Sequence, residues 1–290
     1  MKKEIEKRLQ DNRRVNLLSK DIENIIYLDE DFLTVLSESK RNNAEPNEDI
    51  LEYTVNQLLD VIYGINQYLD IDSESIDALK QIYRNTYERL DEKHPEDTLR
   101  VHYQELSIWL SDLYPPEFVS VLRDMPTIGK VENREYSAEL QTRILGINVQ
   151  NLKEPVLDLG CGKHAVLVNA LRSYGVEAYG VDRVISDGSN YLYACSWFNF
   201  DFSQKRWGTI LANMSFSNHF VYALQNEKSR VEKFSVQFDK ILASLDLGGI
   251  FIYAPSIIPA EQSLDGRFYR IERETVYAGI TRTKVAKINE

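Results

Sequence analysis

Apolar residues recur every three or four positions through most of the first half of the chain, a spacing that places them on one face of an α-helix. The clearest stripe begins with Leu51, Val55, Leu58 and Ile62. Ser73, with an aspartate beside it, stands where an N-cap would precede the next stripe. Helices are predicted over 3–18, 21–38, 50–69, 74–90, 99–110, 116–124 and 135–147.

In the second half, short apolar runs alternate with helical stripes. The run at 155–159, a stripe that ends at Gly175 and the run at 176–182 form a βαβ unit, which predicts parallel strands in an open α/β fold. Charged and apolar residues alternate over 267–273 and 277–288, as in an antiparallel hairpin at a sheet edge. Further strands are predicted over 191–194, 209–212 and 249–254, and a helix over 230–244. An all-α domain over 1–134 is therefore expected to precede an α/β domain over 135–290.

Composition and charge differ between the two halves. Of the 290 residues, 43% are hydrophobic and 27% are charged, as in globular proteins. The first 150 residues carry 18 basic and 30 acidic side chains, a net charge of −12, whereas the rest carry a net charge of +1. Phosphate recognition needs clustered Lys and Arg. The acidic charge of the helical half therefore argues against nucleic acid and anionic membranes as its partners.

The cysteines and the hydropathy pattern predict a cytoplasmic protein. Cys161 and Cys195 are its two cysteines, too few for a disulfide framework. No secretory signal is recognisable, and no apolar window reaches the ~18 residues that a membrane helix needs. No spacing of His, Cys and Asp predicts a metal site. The helical half suggests no chemistry of its own, and we expect it to cap the α/β domain.

A glycine turn follows the first predicted strand. Gly160 and Gly162 permit a close ligand approach, and Asp182 ends the next strand, where a carboxylate can accept hydrogen bonds from two ribose hydroxyls. The sequence from Gly160 to Ala165 also fits the dinucleotide fingerprint. Asp158 distinguishes between these ligands. A carboxylate there repels a pyrophosphate but favours S-adenosylmethionine, whose sulfonium and ammonium are cationic. A helix-capping or turn-stabilising aspartate is the third interpretation.

Four motifs in order resemble class I S-adenosylmethionine-dependent methyltransferases. They are Val156–Gly162, Gly180–Asp182, Trp207–Asn213 and Leu245–Ile252, and the resemblance covers about residues 135–290. It implies a seven-stranded, mostly parallel, doubly wound sheet with an antiparallel C-terminal hairpin, and S-adenosylmethionine as the cofactor.

The resemblance also implies roles for individual residues. Asp158 would hold the ammonium of the cofactor, Asp182 the ribose hydroxyls, and Arg183 would lie near the adenine. The candidate cofactor-binding residues are Asp158, Leu159, Gly160, Cys161, Gly162, Asp182, Arg183, Ser196, Trp197 and Asn213. The family often has a third glycine where this chain has His164, and the acids often found at the positions of Ser196 and Gly208 are missing.

The stretch 207–226 carries no charged side chain and leads from a predicted strand towards the ligand edge of the sheet. We expect His219, Asn218 and Asn213 to face the acceptor as candidate catalytic residues, with His219 as a base. Alternatively, His219 caps a helix or hydrogen-bonds within the core. The expected function is methyl transfer to a small-molecule acceptor. The alternatives are a module that binds the cofactor without transfer and, less favoured, an NAD-dependent oxidoreductase.

Overall fold

The computed structural model describes residues 46–90, 94–114, 136–185, 188–276 and 280–290, together with the single positions 3, 17, 18, 40, 119 and 123. Apart from those single positions, the helices predicted over 3–18, 21–38 and 116–124 lie outside the described residues. The chain divides into two compact units, Met1–Asn133 and Arg134–Glu290.

The first unit contains the helices α1 (Glu48–Ile65), α2 (Ser73–Arg89) and α3 (Pro95–Asp112). They follow the predicted stripes, with one correction at the start of α2. Its N-cap is Asp72 and not Ser73, because Oδ1 of Asp72 accepts the backbone N–H of Ser75 at 2.8 Å. The indole N–H of Trp109 on α3 donates to the carbonyl oxygen of Ser75 at 2.8 Å and thereby ties α3 to α2.

The second unit is built on a seven-stranded sheet in the order β3-β2-β1-β4-β5-β7-β6. Its strands are β1 (Val156–Leu159), β2 (Ala178–Asp182), β3 (Leu192–Ala194), β4 (Trp207–Asn213), β5 (Leu245–Ala254), β6 (Tyr269–Thr275) and β7 (Thr281–Lys287). The first five strands are parallel, and β7 runs antiparallel to both β5 and β6. The predicted fold class is confirmed, including the antiparallel C-terminal hairpin.

Helices cover both faces of this sheet. They are α4 (Ala138–Leu145), α5 (Val166–Ser173), α6 (Phe216–Asn226), α7 (Lys228–Ala243) and the short α8 (Ile258–Gln262). On one face, Leu157 and Leu159 pack among the phenylalanine rings of α6 and α7. On the other face, Val156 and Leu211 pack with α4 and α5. Asp158 is in register with Leu211, so its side chain belongs to the face that carries α5.

The observed elements differ from the prediction in two places, one at the amino edge of the sheet and one at its ligand edge. β5 begins at Leu245 rather than at 249, and its pairing with β4 is irregular, since Trp207 pairs with Leu245 and Thr209 with Ile250. The helix α6 was not predicted, although Phe216 and Phe220 on it are fully buried and four residues apart. Among the helices that the structure describes, none has the length and apolar character to span a membrane.

Candidate functional site

The glycine turn joins the end of β1 to α5 and is held against β2. The backbone N–H groups of Gly160 and Cys161 both donate to the carbonyl oxygen of Val181, at 2.7 and 3.3 Å. Gly160 has φ +78°, a conformation that side-chain-bearing residues rarely adopt. A Cβ at Gly160 would also lie 2.4 Å from Cβ of Ser215. Position 160 therefore requires glycine, both for its positive φ and because a side chain there would collide with Ser215.

Asp158 is a buried carboxylate without a counter-charge in the described part of the chain. Its side chain is 1% exposed, and Oδ2 has no hydrogen-bond partner among the described residues. Burial, together with the nearby carboxylate of Asp182, raises the pKa of Asp158 from 3.8 to about 7. We expect a buried carboxylate of this kind to pair with a ligand that is cationic or donates a hydrogen bond.

Asp182 ties the glycine turn to the end of β2. Its Oδ2 accepts the backbone N–H of Gly162 at 2.9 Å, and its Oδ1 accepts the backbone N–H of Val184 at 3.1 Å. Burial raises the pKa of Asp182, while these two hydrogen bonds and the charge of Arg183 oppose the rise. Each carboxylate oxygen has two lone pairs, so Asp182 keeps acceptor capacity for ligand hydroxyls.

Trp197 forms one wall of the turn. Its carbonyl oxygen accepts a hydrogen bond at 2.9 Å from the side chain of Gln237, which is buried on α7. A Cβ at Gly160 would lie 3.3 Å from Cζ3 of Trp197, and the buried Nε1 of this residue has no partner among the described residues. Ser196 plays a local role, since its Oγ accepts the backbone N–H of Phe198 at 3.3 Å.

The end of β4 closes over the glycine turn. Asn213 is 8% exposed, and its Oδ1 is buried without a hydrogen-bond partner in the described residues. Met214 has φ +52°, and Ser215 follows with its hydroxyl donating to the carbonyl oxygen of Leu159 at the end of β1. The sequence interpretation missed Ser215, which bridges β1 and β4 and contacts Gly160.

His219 lies on α6 against the indole of Trp197. The two rings meet edge to face, with centroids 5.0 Å apart, and His219 is 8% exposed. Burial and the positive charges of Arg183 and Arg230 lower the pKa of His219 to about 3, so the imidazole is neutral at physiological pH. A base of that strength takes a proton poorly, which weighs against the expected role of His219 as a base at neutral pH.

The other predicted residues contribute differently. Leu159 places its side chain in the aromatic core, so its backbone carbonyl is what faces the turn. Cys161 packs towards Gly180, where a Cβ would lie 2.7 Å from its sulfur. Asn218 is half-buried on α6, next to His219 in sequence. Among the described residues, no group of three or more His, Cys, Asp and Glu side chains is arranged to hold a metal ion.

Of the comparisons with known proteins, only the one with solved structures finds similar chains. No protein-family model matches the chain, and no curated protein matches it. The chain is similar to the N-methyltransferase NodS from Bradyrhizobium japonicum, with 12% identity and a TM-score of 0.37 over 52% of this chain and 96% of that one. It is also similar to the plantazolicin methyltransferase BpumL, solved with a desmethyl-plantazolicin analogue and SAH, with 11% identity and a TM-score of 0.37 over 52% and 85% of the two chains. TrmN from Thermus thermophilus matches at 15% identity and a TM-score of 0.35 over 52% and 48%.

The seven-stranded, mostly parallel sheet of the second unit, with its antiparallel C-terminal hairpin, is the fold that the sequence motifs imply. The three similarities each extend over about half of this chain.

Proposed function

We propose that this protein is an S-adenosylmethionine-dependent methyltransferase that acts on a small-molecule acceptor. The observation that carries the proposal is Asp158, a buried carboxylate with an unpartnered oxygen beside the glycine turn. A buried carboxylate without a partner is costly to retain, and a cationic ligand offsets that cost. The ammonium of S-adenosylmethionine supplies such a cation, whereas the pyrophosphate of a dinucleotide would be repelled.

The remaining candidate residues fit the rest of the cofactor. Asp182 has lone pairs free for the two ribose hydroxyls after it accepts the backbone N–H groups of Gly162 and Val184. The indole ring of Trp197 borders the turn, with Cζ3 3.3 Å from where a Cβ at Gly160 would lie. Arg183, next to Asp182, is assigned to the adenine end.

Catalysis in this proposal depends on position and on exclusion of water. When bound, the cofactor supplies an electrophilic methyl group on a sulfonium. The residues at the end of β4 and the start of α6 hold the acceptor in line with it, and such orientation supplies much of the rate enhancement in a displacement reaction. Asn213 and His219 are both buried, so groups bound beside them would be shielded from water.

A small-molecule acceptor agrees with the charge distribution. The 20 residues of 207–226, from β4 through α6, carry no charged side chain. The net charge of −12 on the first 150 residues further disfavours a polyanionic substrate. Both features favour a neutral or cationic small molecule.

Calorimetric titration of the purified protein with S-adenosylmethionine, S-adenosylhomocysteine and NAD⁺ tests the proposal. We expect the first two to bind and NAD⁺ not to bind. Asp158→Asn should lower the affinity for S-adenosylmethionine by about tenfold or more, because a charge-assisted hydrogen bond is lost. Asp239→Asn, on the exposed face of α7, is the matched control. Binding of NAD⁺ in place of S-adenosylmethionine would overturn the proposal.

Release of S-adenosylhomocysteine in the presence of a pool of small amines and alcohols tests turnover. Tight binding of S-adenosylmethionine without any release would identify a binding module instead.

A further inference from the structure

Gln237 is a polar side chain at a core position of α7. It is 3% exposed. The other buried residues of this helix are apolar, namely Phe234, Phe238, Ile241 and Leu242. Burying a primary amide costs free energy unless its hydrogen bonds are made, and a leucine of similar size would avoid that cost. The amide of Gln237 is therefore expected to serve something outside its own helix.

The hydrogen-bond partner of Gln237 lies in the loop between β3 and β4. Residues 195–206, all of them described, form no α-helix. Near the start of this loop, the carbonyl oxygen of Ser196 accepts the backbone N–H of Phe200 at 3.1 Å, which closes a single turn. Because the turn does not continue as a helix, the next carbonyl, that of Trp197, needs a donor from elsewhere. Nε2 of Gln237 donates to it at 2.9 Å.

This hydrogen bond fixes a loop that borders the glycine turn. The indole of Trp197 approaches the turn closely, with Cζ3 3.3 Å from the place where a Cβ at Gly160 would lie. Its ring also meets the imidazole of His219 edge to face, with centroids 5.0 Å apart. A side chain this close to the turn limits the room that a ligand has, so a small displacement of the loop changes the shape of the cofactor site.

Aromatic packing restrains the same loop less sharply. The ring of Phe198 packs edge to face on that of Phe234, with centroids 5.0 Å apart. Such contacts tolerate centroid distances of about 4.5–7 Å, whereas an N–H···O hydrogen bond is confined to about 2.7–3.2 Å and to a preferred angle. The hydrogen bond from Gln237 therefore selects one loop position among those that the rings allow.

We propose that Gln237 is a positioning residue for the cofactor. By holding the carbonyl oxygen of Trp197, it keeps the loop after β3 in the binding position before a ligand arrives, so that binding does not have to order the loop. The inference rests on the proposed function and adds to its site a residue on α7 that acts through Trp197 rather than by touching the cofactor.

Calorimetric titration with S-adenosylhomocysteine measures the effect of two substitutions. Gln237→Leu keeps the size of the side chain and removes the donor. It should weaken binding by about tenfold, because the loop then leaves the binding position for part of the time. Gln237→Glu can donate to the carbonyl oxygen of Trp197 only while its carboxyl group is protonated. Since burial raises the pKa of a carboxyl group, its affinity should recover from about tenfold weaker than the wild type at about pH 8 to within about twofold at about pH 5.

The recovery with pH separates positioning from a general loss of packing. Gln237→Leu does not titrate, so its affinity relative to the wild type should stay constant over the same range. Each variant is compared with the wild type at the same pH, so the titration of Asp158 and the charge of Lys233 above the ring of Phe198 are common to both. Gln225→Leu and Gln225→Glu make the same changes at an exposed position of α6 and should bind like the wild type at every pH.

Hydrogen exchange of the wild-type protein gives a test that needs no variant. If Gln237 already holds the loop, the backbone amide of Phe200 should be protected in the ligand-free protein, and S-adenosylhomocysteine should add little protection. In Gln237→Leu, protection of the same amide should appear only with the ligand.

The outcomes are separable. Unchanged affinity of Gln237→Leu, a deficit of Gln237→Glu that does not vary with pH, or an unprotected loop in the ligand-free wild type would overturn this inference and leave the proposed function intact. Failure of S-adenosylhomocysteine to bind the wild-type protein would overturn the proposed function and the inference with it. Circular dichroism confirms that each variant is folded, and the hydrogen exchange of the wild type decides if one is not.

Discussion

Replacing Asp158 by asparagine removes a buried charge while the shape of the side chain is kept. Asp158 lies on β1 between β2 and β4, and its exposed fraction is 1%. In the absence of ligand, its ionised form lacks a counter-charge among the described residues and faces the carboxylate of Asp182. The substitution is therefore expected to stabilise the ligand-free protein and to weaken its binding of S-adenosylmethionine.

The magnitude follows from the pKa of Asp158. Burial and Asp182 raise that pKa from 3.8 to about 7. At about 1.4 kcal/mol per pKa unit, ionised Asp158 costs the folded state about 4 kcal/mol relative to the unfolded chain. Because the folded state binds the proton more tightly, the free energy of unfolding falls as the pH rises from about 4 to about 7. The asparagine side chain of the variant does not titrate, so the advantage of the variant grows over the same range.

Urea denaturation of the ligand-free wild type and of Asp158→Asn, followed by circular dichroism, measures this difference. From about pH 5 to about pH 8, the advantage of the variant in unfolding free energy should widen by about 2–3 kcal/mol. Asp239→Asn, an exposed change of the same chemistry, should show no such widening. A difference that does not vary with pH, or a variant less stable than the wild type at about pH 8, would refute the reasoning about the buried charge.

Two further predictions concern packing and the ion pair of a buried glutamate in the second unit. Gly180→Ala should lower the unfolding free energy by about 1–3 kcal/mol, since its Cβ would lie 2.7 Å from the sulfur of Cys161. Thermal denaturation checks this, with Gly188→Ala as a control that should melt like the wild type, since apart from its chain neighbours no described residue lies within 4 Å of the added Cβ. Glu261→Gln should lower the unfolding free energy by about 1–3 kcal/mol, because this fully buried carboxylate pairs with an arginine and accepts three further hydrogen bonds. Glu272→Gln, on the exposed surface of β6, should be neutral in the same urea titration, and equal effects of the two glutamine variants would contradict the argument.

The sheet was predictable from the sequence because its signals are local. The apolar runs that became β1 and β2 flank a glycine turn and an amphipathic helix, and a βαβ unit restricts the topology strongly. The alternation over 267–273 and 277–288 likewise predicted β6 and β7 with small errors at their ends. The error at the start of β5 has a local cause as well, since the strand was predicted to begin at Gly249, whereas it passes through Gly248 and Gly249 with an irregular register.

The properties of individual site residues depended on packing that no local pattern reveals. His219 looked like a base from its type and neighbours, yet its pKa is set by burial and by Arg183 and Arg230, which come from other elements. Ser215 was missed because its contact with Gly160 exists only once β1 and β4 are adjacent. The period of Phe216 and Phe220 would have predicted α6, but not the aromatic and charged neighbours that determine the pKa of His219.

Unpaired buried atoms are informative only together with their place in the sheet. Trp207 and Asn213 stand at opposite ends of β4, and each has a buried polar atom without a hydrogen-bond partner in the described residues. Trp207 lies at the amino end of the strand, where its ring packs edge to face against the ring of Tyr179, so the same side chain also contributes a stabilising aromatic contact. Oδ1 of Asn213 lies at the carboxyl end, in the same edge as Asp158, and an apolar residue there would avoid the cost of an unpaired oxygen. Retaining two unpaired acceptors at the edge where ligands bind in this architecture is understandable if a ligand supplies both donors, and this makes the pair a sharper signal than either residue alone.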